Sequence, residues 1–187
     1  MAKPSIVKNE IHTKIKEIEV QNNIKFSTIQ KVLLSIEESI TAILDVLYGS
    51  VSIFPLNQHF EKVDEERSKL LDLPVGDVIY YREVIIYRKG KPMVYSLSYI
   101  SLPRWRREAR DDLIKGKLPL GKILKKYDVE SRRDLKKIYV EEPSLMLKDL
   151  FKCDDDFVSR EYNIIKKGRI ILWTKESFPI SYFKEEI

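Results

Sequence analysis

Two stretches of the chain alternate apolar and polar side chains around a short turn that contains glycine. The first is residues 80–99 (YYREVIIYRKGKPMVYSLSY), and the second is residues 159–180 (SREYNIIKKGRIILWTKESFPI). Alternation with a period of two on both sides of such a turn is typical of a β-hairpin. The pattern therefore predicts two hairpins, with one further strand and its connection at residues 51–63.

Helical spacing of apolar residues marks the remaining segments. Residues 5–20 carry isoleucines at helical intervals behind Ser5, and residues 26–50 predict either one helix or two helices broken near Ser39. Short helices are predicted at 64–73 and 143–151, and residues 105–137 are predicted to be helical in pieces. Hairpins separate from helices indicate an α+β domain, with the helices on one side of an antiparallel sheet.

Composition narrows the class of protein. The 187 residues are 43% hydrophobic and include ten tyrosines, which predicts one packed domain rather than a disordered chain. No apolar run approaches the roughly 18 residues of a membrane span, and the N-terminus lacks the pattern of a signal peptide. With a single cysteine, Cys153, the sequence favours a cytoplasmic protein in a reducing compartment.

Residue types that build common catalytic centres are scarce. The chain has two histidines, His12 and His59, which disfavours a zinc site of His and Cys and a Ser-His-Asp triad. The six glycines fall at predicted element boundaries, so none is left for a glycine-rich phosphate loop. Any catalysis is expected to rest on carboxylates, arginine, lysine or tyrosine.

Three charged residues interrupt the apolar stripes of the predicted hairpins. Arg82 shares a face with Val84 and Ile86, while Arg160 and Glu176 interrupt the second hairpin in the same way. Burying an unpaired charge is costly, so each residue needs a partner. Two explanations stay open here. One is an internal Arg–Glu pair that joins the hairpins; the other is a pocket where arginine binds a carboxylate and Glu176 meets a hydroxyl or a transferred proton.

Four segments, in this order and at these intervals, resemble the chorismate pyruvate-lyase family, in particular its archaeal and actinobacterial branch. They are KVLLSIEESITAILDVLYG, IYYREVIIYRKGKPMVYSLSYISLP, LPLGKILKK and SREYNIIKKGRIILWTKESFP. The resemblance covers residues 27–180 and implies a chorismate lyase-like domain at residues 27–187, with residues 1–26 as a helical extension. It also implies about six antiparallel strands flanked by helices, and a ligand enclosed beneath helical flaps.

The resemblance implies conversion of chorismate, an anionic small molecule, to 4-hydroxybenzoate and pyruvate without metal or organic cofactor. By position in the motifs, Arg82 is expected to bind the ring carboxylate, and Glu176 to lie near the ring oxygen where the enolpyruvyl ether breaks. Arg160 is expected to bind the second carboxylate or Glu176. Apolar and backbone contacts are expected from Ile40, Leu120 and Gly121. A carboxyl group among apolar residues also suggests the hypothesis that Glu176 acts as an acid.

Two other functions stay open as alternatives. Effector-binding domains of bacterial transcription regulators resemble this hairpin and bind small molecules without converting them, so a ligand-binding module is the main alternative. Residues 104–137 carry 13 Lys and Arg against six Asp and Glu. This excess admits a nucleic-acid surface, although the interleaved carboxylates would repel phosphate and make that reading unfavoured. The oligomeric state stays open, with a dimer among the alternatives.

Overall fold

A computed structural model describes residues 8–184, which form a six-stranded antiparallel sheet in the order β1-β2-β3-β6-β5-β4. The strands are β1 (Ser52–Lys62), β2 (Val78–Arg88), β3 (Lys91–Ile100), β4 (Arg132–Glu141), β5 (Phe157–Lys166) and β6 (Arg169–Pro179). The helices are α1 (Lys8–Gln21), α2 (Thr28–Ser35), α3 (Ile40–Tyr48), α4 (Glu65–Leu71), α5 (Arg107–Lys115), α6 (Leu120–Lys126) and α7 (Leu145–Phe151). None of these described helices is long and apolar enough to cross a membrane.

Both predicted hairpins are present and form the centre of the sheet. β2 pairs with β3, β5 pairs with β6, and the pairing of β3 with β6 joins the two hairpins. Each turn places two successive residues at positive φ, Lys89 and Gly90 in the first and Lys167 and Gly168 in the second. Two-residue turns of this kind match the right-handed twist of the flanking strands, which explains the glycine in each turn.

The prediction that residues 105–137 are helical in pieces is wrong at the C-terminal end of this segment. Helices α5 and α6 occupy part of this segment, but residues 132–137 belong to β4, an edge strand. The register of β4 against β5 shifts between Leu135 and Lys137. This bulge places the buried residues Leu135 and Ile138 three positions apart, a spacing that imitates a helix and conceals the alternation of a strand.

The segment of residues 26–50 forms two helices, with a break at residues 36–39. Ser27 begins α2 with a capping box: its hydroxyl accepts from the Gln30 backbone N–H, and the Gln30 side chain accepts from the Ser27 backbone N–H. Ser39 precedes α3 and makes no side-chain cap bond. The predicted cap of the first helix, Ser5, lies outside the described residues.

The main helical layer covers one face of the sheet, here called the inner face. Apolar residues of α1, α2, α3, α5 and α6 pack in a single core with Ile86, Val94, Val158 and Ile164 of the strands. This arrangement confirms the predicted α+β domain. The short helices α7 and α4 contact the opposite, outer face, where α7 packs in one cluster with β2, β3 and β5 and α4 packs in another with β2 and β6.

Candidate functional site

A cavity lies between the inner face of the sheet and the beginnings of α3 and α6; we call it the inner cavity. Each of the six strands contributes at least one lining residue. The polar side chains that the strands contribute to its lining are Arg82, Ser96, Arg133, Tyr162, Thr174 and Glu176. Apolar walls come from Ile53, Val84 and Ile86. Polar side chains of the sheet therefore form the floor of the cavity, inside an otherwise apolar core.

The register of the strands brings the three stripe-breaking residues to this one face. Ser98 of β3 is opposite Arg82 of β2, and Ser96 of β3 is opposite Glu176 of β6. On its other side, β6 pairs with β5 so that Glu176 is opposite Arg160. Because side chains alternate between faces along a strand, these residues all point toward the helices.

Arg160 and Glu176 form a buried ion pair. Arg160 Nε donates to Glu176 Oε2 at 2.8 Å, and Arg160 Nη2 lies 2.7 Å from the same oxygen. Tyr162 donates its hydroxyl to Glu176 Oε1 at 3.1 Å, and Arg160 Nη1 donates to the backbone carbonyl of Ile36 at 2.8 Å. Burial disfavours the charged guanidinium, but the neighbouring Glu176 outweighs it and raises the pKa of Arg160. Arg160 and Glu176 therefore form an internal Arg–Glu pair, but the pair lies within the β5–β6 hairpin and does not join the two hairpins as the first explanation expected.

Arg82 is different because no carboxylate among the described residues pairs with it. Its side chain is 3% exposed, and Nη2 donates to the Leu118 carbonyl at 2.8 Å. Its Nε is buried and has no hydrogen-bond partner within residues 8–184. Burial lowers the pKa of Arg82 to about 10, which still leaves the guanidinium charged at neutral pH. A buried cation of this kind is ready to receive an anion.

The remaining predicted site residues divide between the cavity and the core. Leu120 and Gly121, at the beginning of α6, line the inner cavity. Ile40 is 1% exposed and packs in the core instead of lining the cavity. Its neighbours line the cavity in its place: Ser39, which precedes α3, and Thr41 within α3. A Cβ on Gly121 would lie 2.2 Å from Ser39 Oγ, so glycine lets α6 approach the break before α3 closely.

Sequence reasoning missed several lining residues. Ser96, Tyr162 and Thr174 occupy inner-face positions of recognised strands, so strand alternation alone could have found them. Arg133 lies in β4, the strand whose bulge conceals its pattern. Its Nη1 donates to the Glu37 carbonyl at 2.9 Å, while its buried Nε has no partner among the described residues.

The inner cavity is narrow. The space within it that water can reach is about 30 Å³, room for one or two water molecules. An open cleft of about 650 Å³ adjoins it, and four residues line both: Ser39, Thr41, Gly121 and Arg133. The break before α3 and the beginning of α6 therefore form a lid between the inner cavity and this outer cleft.

The charges of the site favour an anionic ligand. Arg82, Arg133 and Glu176 line the cavity, and Arg160 pairs with Glu176. These four side chains together carry three guanidiniums and one carboxylate, an excess of two positive charges. Among residues 8–184, no three side chains of the His, Cys, Asp and Glu types are grouped as metal ligands would be. The arrangement can therefore bind a dianion and place a carboxylate beside it.

Solved structures share this fold. The effector domain of PhnF from Mycobacterium smegmatis superimposes with a TM-score of 0.65 at 14% identity, covering 76% of this chain and 88% of that domain. The C-terminal domain of the histidine utilization repressor from Pseudomonas syringae gives 0.60 at 10% identity, covering 73% and 96%. At such low identity the likeness establishes the fold alone.

Sequence comparison identifies the family. A protein of Methanocaldococcus jannaschii named "Putative lyase MJ0807" is 31% identical over 158 residues, covering 81% of this chain and 78% of that protein. Residues 34–185 match the profile of the Rv2949c-like chorismate pyruvate-lyases. The match spans β1 to β6 together with the lid and the whole inner cavity. The chain therefore belongs to the Rv2949c-like chorismate pyruvate-lyase family.

Proposed function

We propose that this protein is a chorismate pyruvate-lyase, which converts chorismate to 4-hydroxybenzoate and pyruvate in the inner cavity. The observation that carries the proposal is the guanidinium of Arg82, buried without a carboxylate partner within residues 8–184 and beside the Arg160–Glu176 pair. A bound carboxylate would provide the missing counter-charge and accept from the unpartnered Nε. Family membership supplies the substrate class.

The reaction rearranges bonds and protons without a net oxidation. The bond between the ring carbon and the enolpyruvyl oxygen breaks, and the adjacent ring carbon that carries the hydroxyl loses its proton. The ring becomes aromatic as 4-hydroxybenzoate. The released enolpyruvate takes up one proton at its methylene carbon and becomes pyruvate. The proton lost by the ring balances the proton gained by the methylene carbon. Aromatisation supplies the driving force, so the protein has to orient a dianion and to assist the removal and return of this proton.

Arg82 and Glu176 have the main roles in this proposal. Arg82 binds the ring carboxylate and so fixes the ring within the cavity. The sequence suggests the role of an acid for Glu176. In the structure both of its carboxyl oxygens accept hydrogen bonds, Oε2 from Arg160 at 2.8 Å and Oε1 from Tyr162 at 3.1 Å. Donors at both oxygens suit a proton acceptor better than a proton donor. We therefore assign Glu176 the role of the base that takes the ring proton, with Arg160 and Tyr162 fixing its position.

Substrate entry requires the lid to open. A cyclohexadiene ring does not fit in about 30 Å³, so residues 36–39 and the beginning of α6 have to separate before chorismate binds. Arg160 and Arg133 donate to the carbonyls of Ile36 and Glu37 in this break. Closure over the substrate would exclude water from the proton transfer and strengthen the charge interactions of the site.

The proposal is tested by incubating the purified protein with chorismate and measuring both products. We expect 4-hydroxybenzoate and pyruvate to form in equal amounts, at a rate proportional to protein concentration and above that of a buffer control. A ligand-binding module of the effector-domain fold would instead bind chorismate saturably and return it unchanged. Failure to bind chorismate at all would contradict the lyase and would leave only a binding module for a different ligand.

A further inference from the structure

Arg133 is a second guanidinium in the inner cavity with unused hydrogen-bonding capacity. Its Nη1 donates to the Glu37 carbonyl at 2.9 Å, and its guanidinium carbon lies 5.8 Å from the ring centroid of Tyr162. Its Nε is buried and unpartnered among the described residues. No carboxylate within residues 8–184 pairs with it. Arg133 thus shares with Arg82 the property that the proposed function assigns to a carboxylate site.

The two arginines approach the cavity from opposite ends. Arg82 is on β2 and Arg133 on β4, four places apart in the sheet order β2-β3-β6-β5-β4, or about 19 Å between backbones at about 4.8 Å per place. Both side chains line the same cavity. Between them lie Thr174 and Glu176 of β6 and Tyr162 of β5. The floor of the cavity therefore runs from one cation through a carboxylate to a second cation.

We propose that Arg133 binds the second carboxylate of the substrate, the one carried by the ether-linked side chain. This inference rests on the proposed function and extends it, because it assigns the site to dicarboxylates in which an ether oxygen separates the two acids. With Arg82 on the ring carboxylate and Arg133 on the side-chain carboxylate, the ring and its ether oxygen lie over the middle of the floor, where Glu176 is placed. Arg160 is engaged by Glu176 and cannot replace Arg133.

Arg133 also has a structural task that the experiment must separate from ligand binding. Its bond to the Glu37 carbonyl holds the break before α3, which belongs to the lid. Loss of this bond alone would weaken every ligand that the lid covers, whatever its charge. A residue that binds the second carboxylate must instead affect dicarboxylates selectively.

A matched pair of ligands that the protein cannot convert makes this distinction. 3-(Carboxymethoxy)benzoate carries an ether-linked carboxylate meta to the ring carboxylate, the relation of the two groups in chorismate, and 3-methoxybenzoate lacks only that second acid. Binding of both to the wild type, to Arg133→Gln and to Arg132→Gln is measured by titration calorimetry. Arg132 is the matched control, because it neighbours Arg133 on the same strand, points to the outer face and is 64% exposed.

We expect the wild type and Arg132→Gln to prefer the dicarboxylate. For Arg133→Gln, the dissociation constant of the dicarboxylate should rise about ten- to a hundredfold, the effect of losing a charge-assisted hydrogen bond. The dissociation constant of the monocarboxylate should change by no more than about twofold. Equal weakening of both ligands would overturn the proposal and restrict Arg133 to the lid. A wild type that binds neither ligand, or does not prefer the dicarboxylate, would overturn it as well.

These results are independent of turnover. If Arg133→Gln loses affinity for the dicarboxylate alone while the wild type binds chorismate without converting it, the result supports the dicarboxylate site and refutes the lyase activity. Conversion of chorismate without any selective effect of Arg133→Gln would retain the lyase and refute the role of Arg133.

Discussion

At the scale of single residues, the site depends on a difference between two buried arginines. Arg160 has a carboxylate partner at 2.7 Å, whereas Arg82 has a carbonyl and an unpartnered Nε within the described chain. Removing one member of a buried ion pair leaves the other charge uncompensated, which destabilises the folded protein. Removing a buried charge that has no partner eliminates the free-energy cost of burying that charge. The two arginines should therefore respond to substitution in opposite ways.

We expect Arg160→Met to lower the free energy of unfolding by about 3–5 kcal/mol, because Glu176 is left buried and unpaired. Arg82→Met should leave the free energy of unfolding unchanged or slightly raised, and should weaken binding of 4-hydroxybenzoate at least about tenfold. Urea unfolding and calorimetric titration measure the two quantities. If Arg82→Met unfolded as readily as Arg160→Met, Arg82 would be a structural residue.

At the scale of elements, β-strand alternation made part of the site predictable. Arg82, Arg160 and Glu176 stood out because each interrupts an apolar stripe in a recognisable hairpin. Arg160 and Glu176 are opposite each other within the β5–β6 hairpin, whose register includes a shift between Ile164 and Ile165. The placement of Arg82 near this pair depends on the pairing of β3 with β6, and no local pattern encodes that pairing. Arg133 could not be predicted as a site residue, because the bulge of β4 gives this strand the apolar spacing of a helix.

The lid depends on a close contact between Gly121 of α6 and Ser39 in the break before α3, and this contact can be tested directly. A Cβ on Gly121 would lie 2.2 Å from Ser39 Oγ and 2.6 Å from Ser39 Cβ, so Gly121→Ala should push the break before α3 away from α6. We expect an overpacking loss of about 1–3 kcal/mol in the free energy of unfolding, together with faster dissociation of 4-hydroxybenzoate.

Ser39→Gly removes both atoms of that contact and provides the control. The double variant Ser39→Gly/Gly121→Ala should recover most of the lost stability, a coupling expected of residues in direct contact. Thermal unfolding of the four proteins measures it. Additive effects of the two substitutions would show that Gly121 and Ser39 do not meet in the folded protein.

At the scale of the whole molecule, the basic segment at residues 104–137 is largely engaged in holding the fold together. Arg104 donates to three backbone carbonyls and Arg110 to two. Lys122 and Lys126 pair with Asp45 and Asp112. Arg133 is the basic residue of this segment that lines the inner cavity, together with Arg82 of β2. In the proposed function the charge of these two arginines, and not the charge on the surface of the segment, binds the substrate.

The central claim is that chorismate is cleaved in this cavity, and the most direct test is the rate of 4-hydroxybenzoate formation by three proteins. They are the wild type, Glu176→Gln and Lys175→Gln, the last a control because Lys175 points to the outer face and pairs with Glu141 at 2.7 Å. Circular dichroism establishes that each is folded. We expect conversion by the wild type and Lys175→Gln, and a rate at least about a hundredfold lower for Glu176→Gln. No conversion by the wild type, or equal rates for all three, would contradict the account.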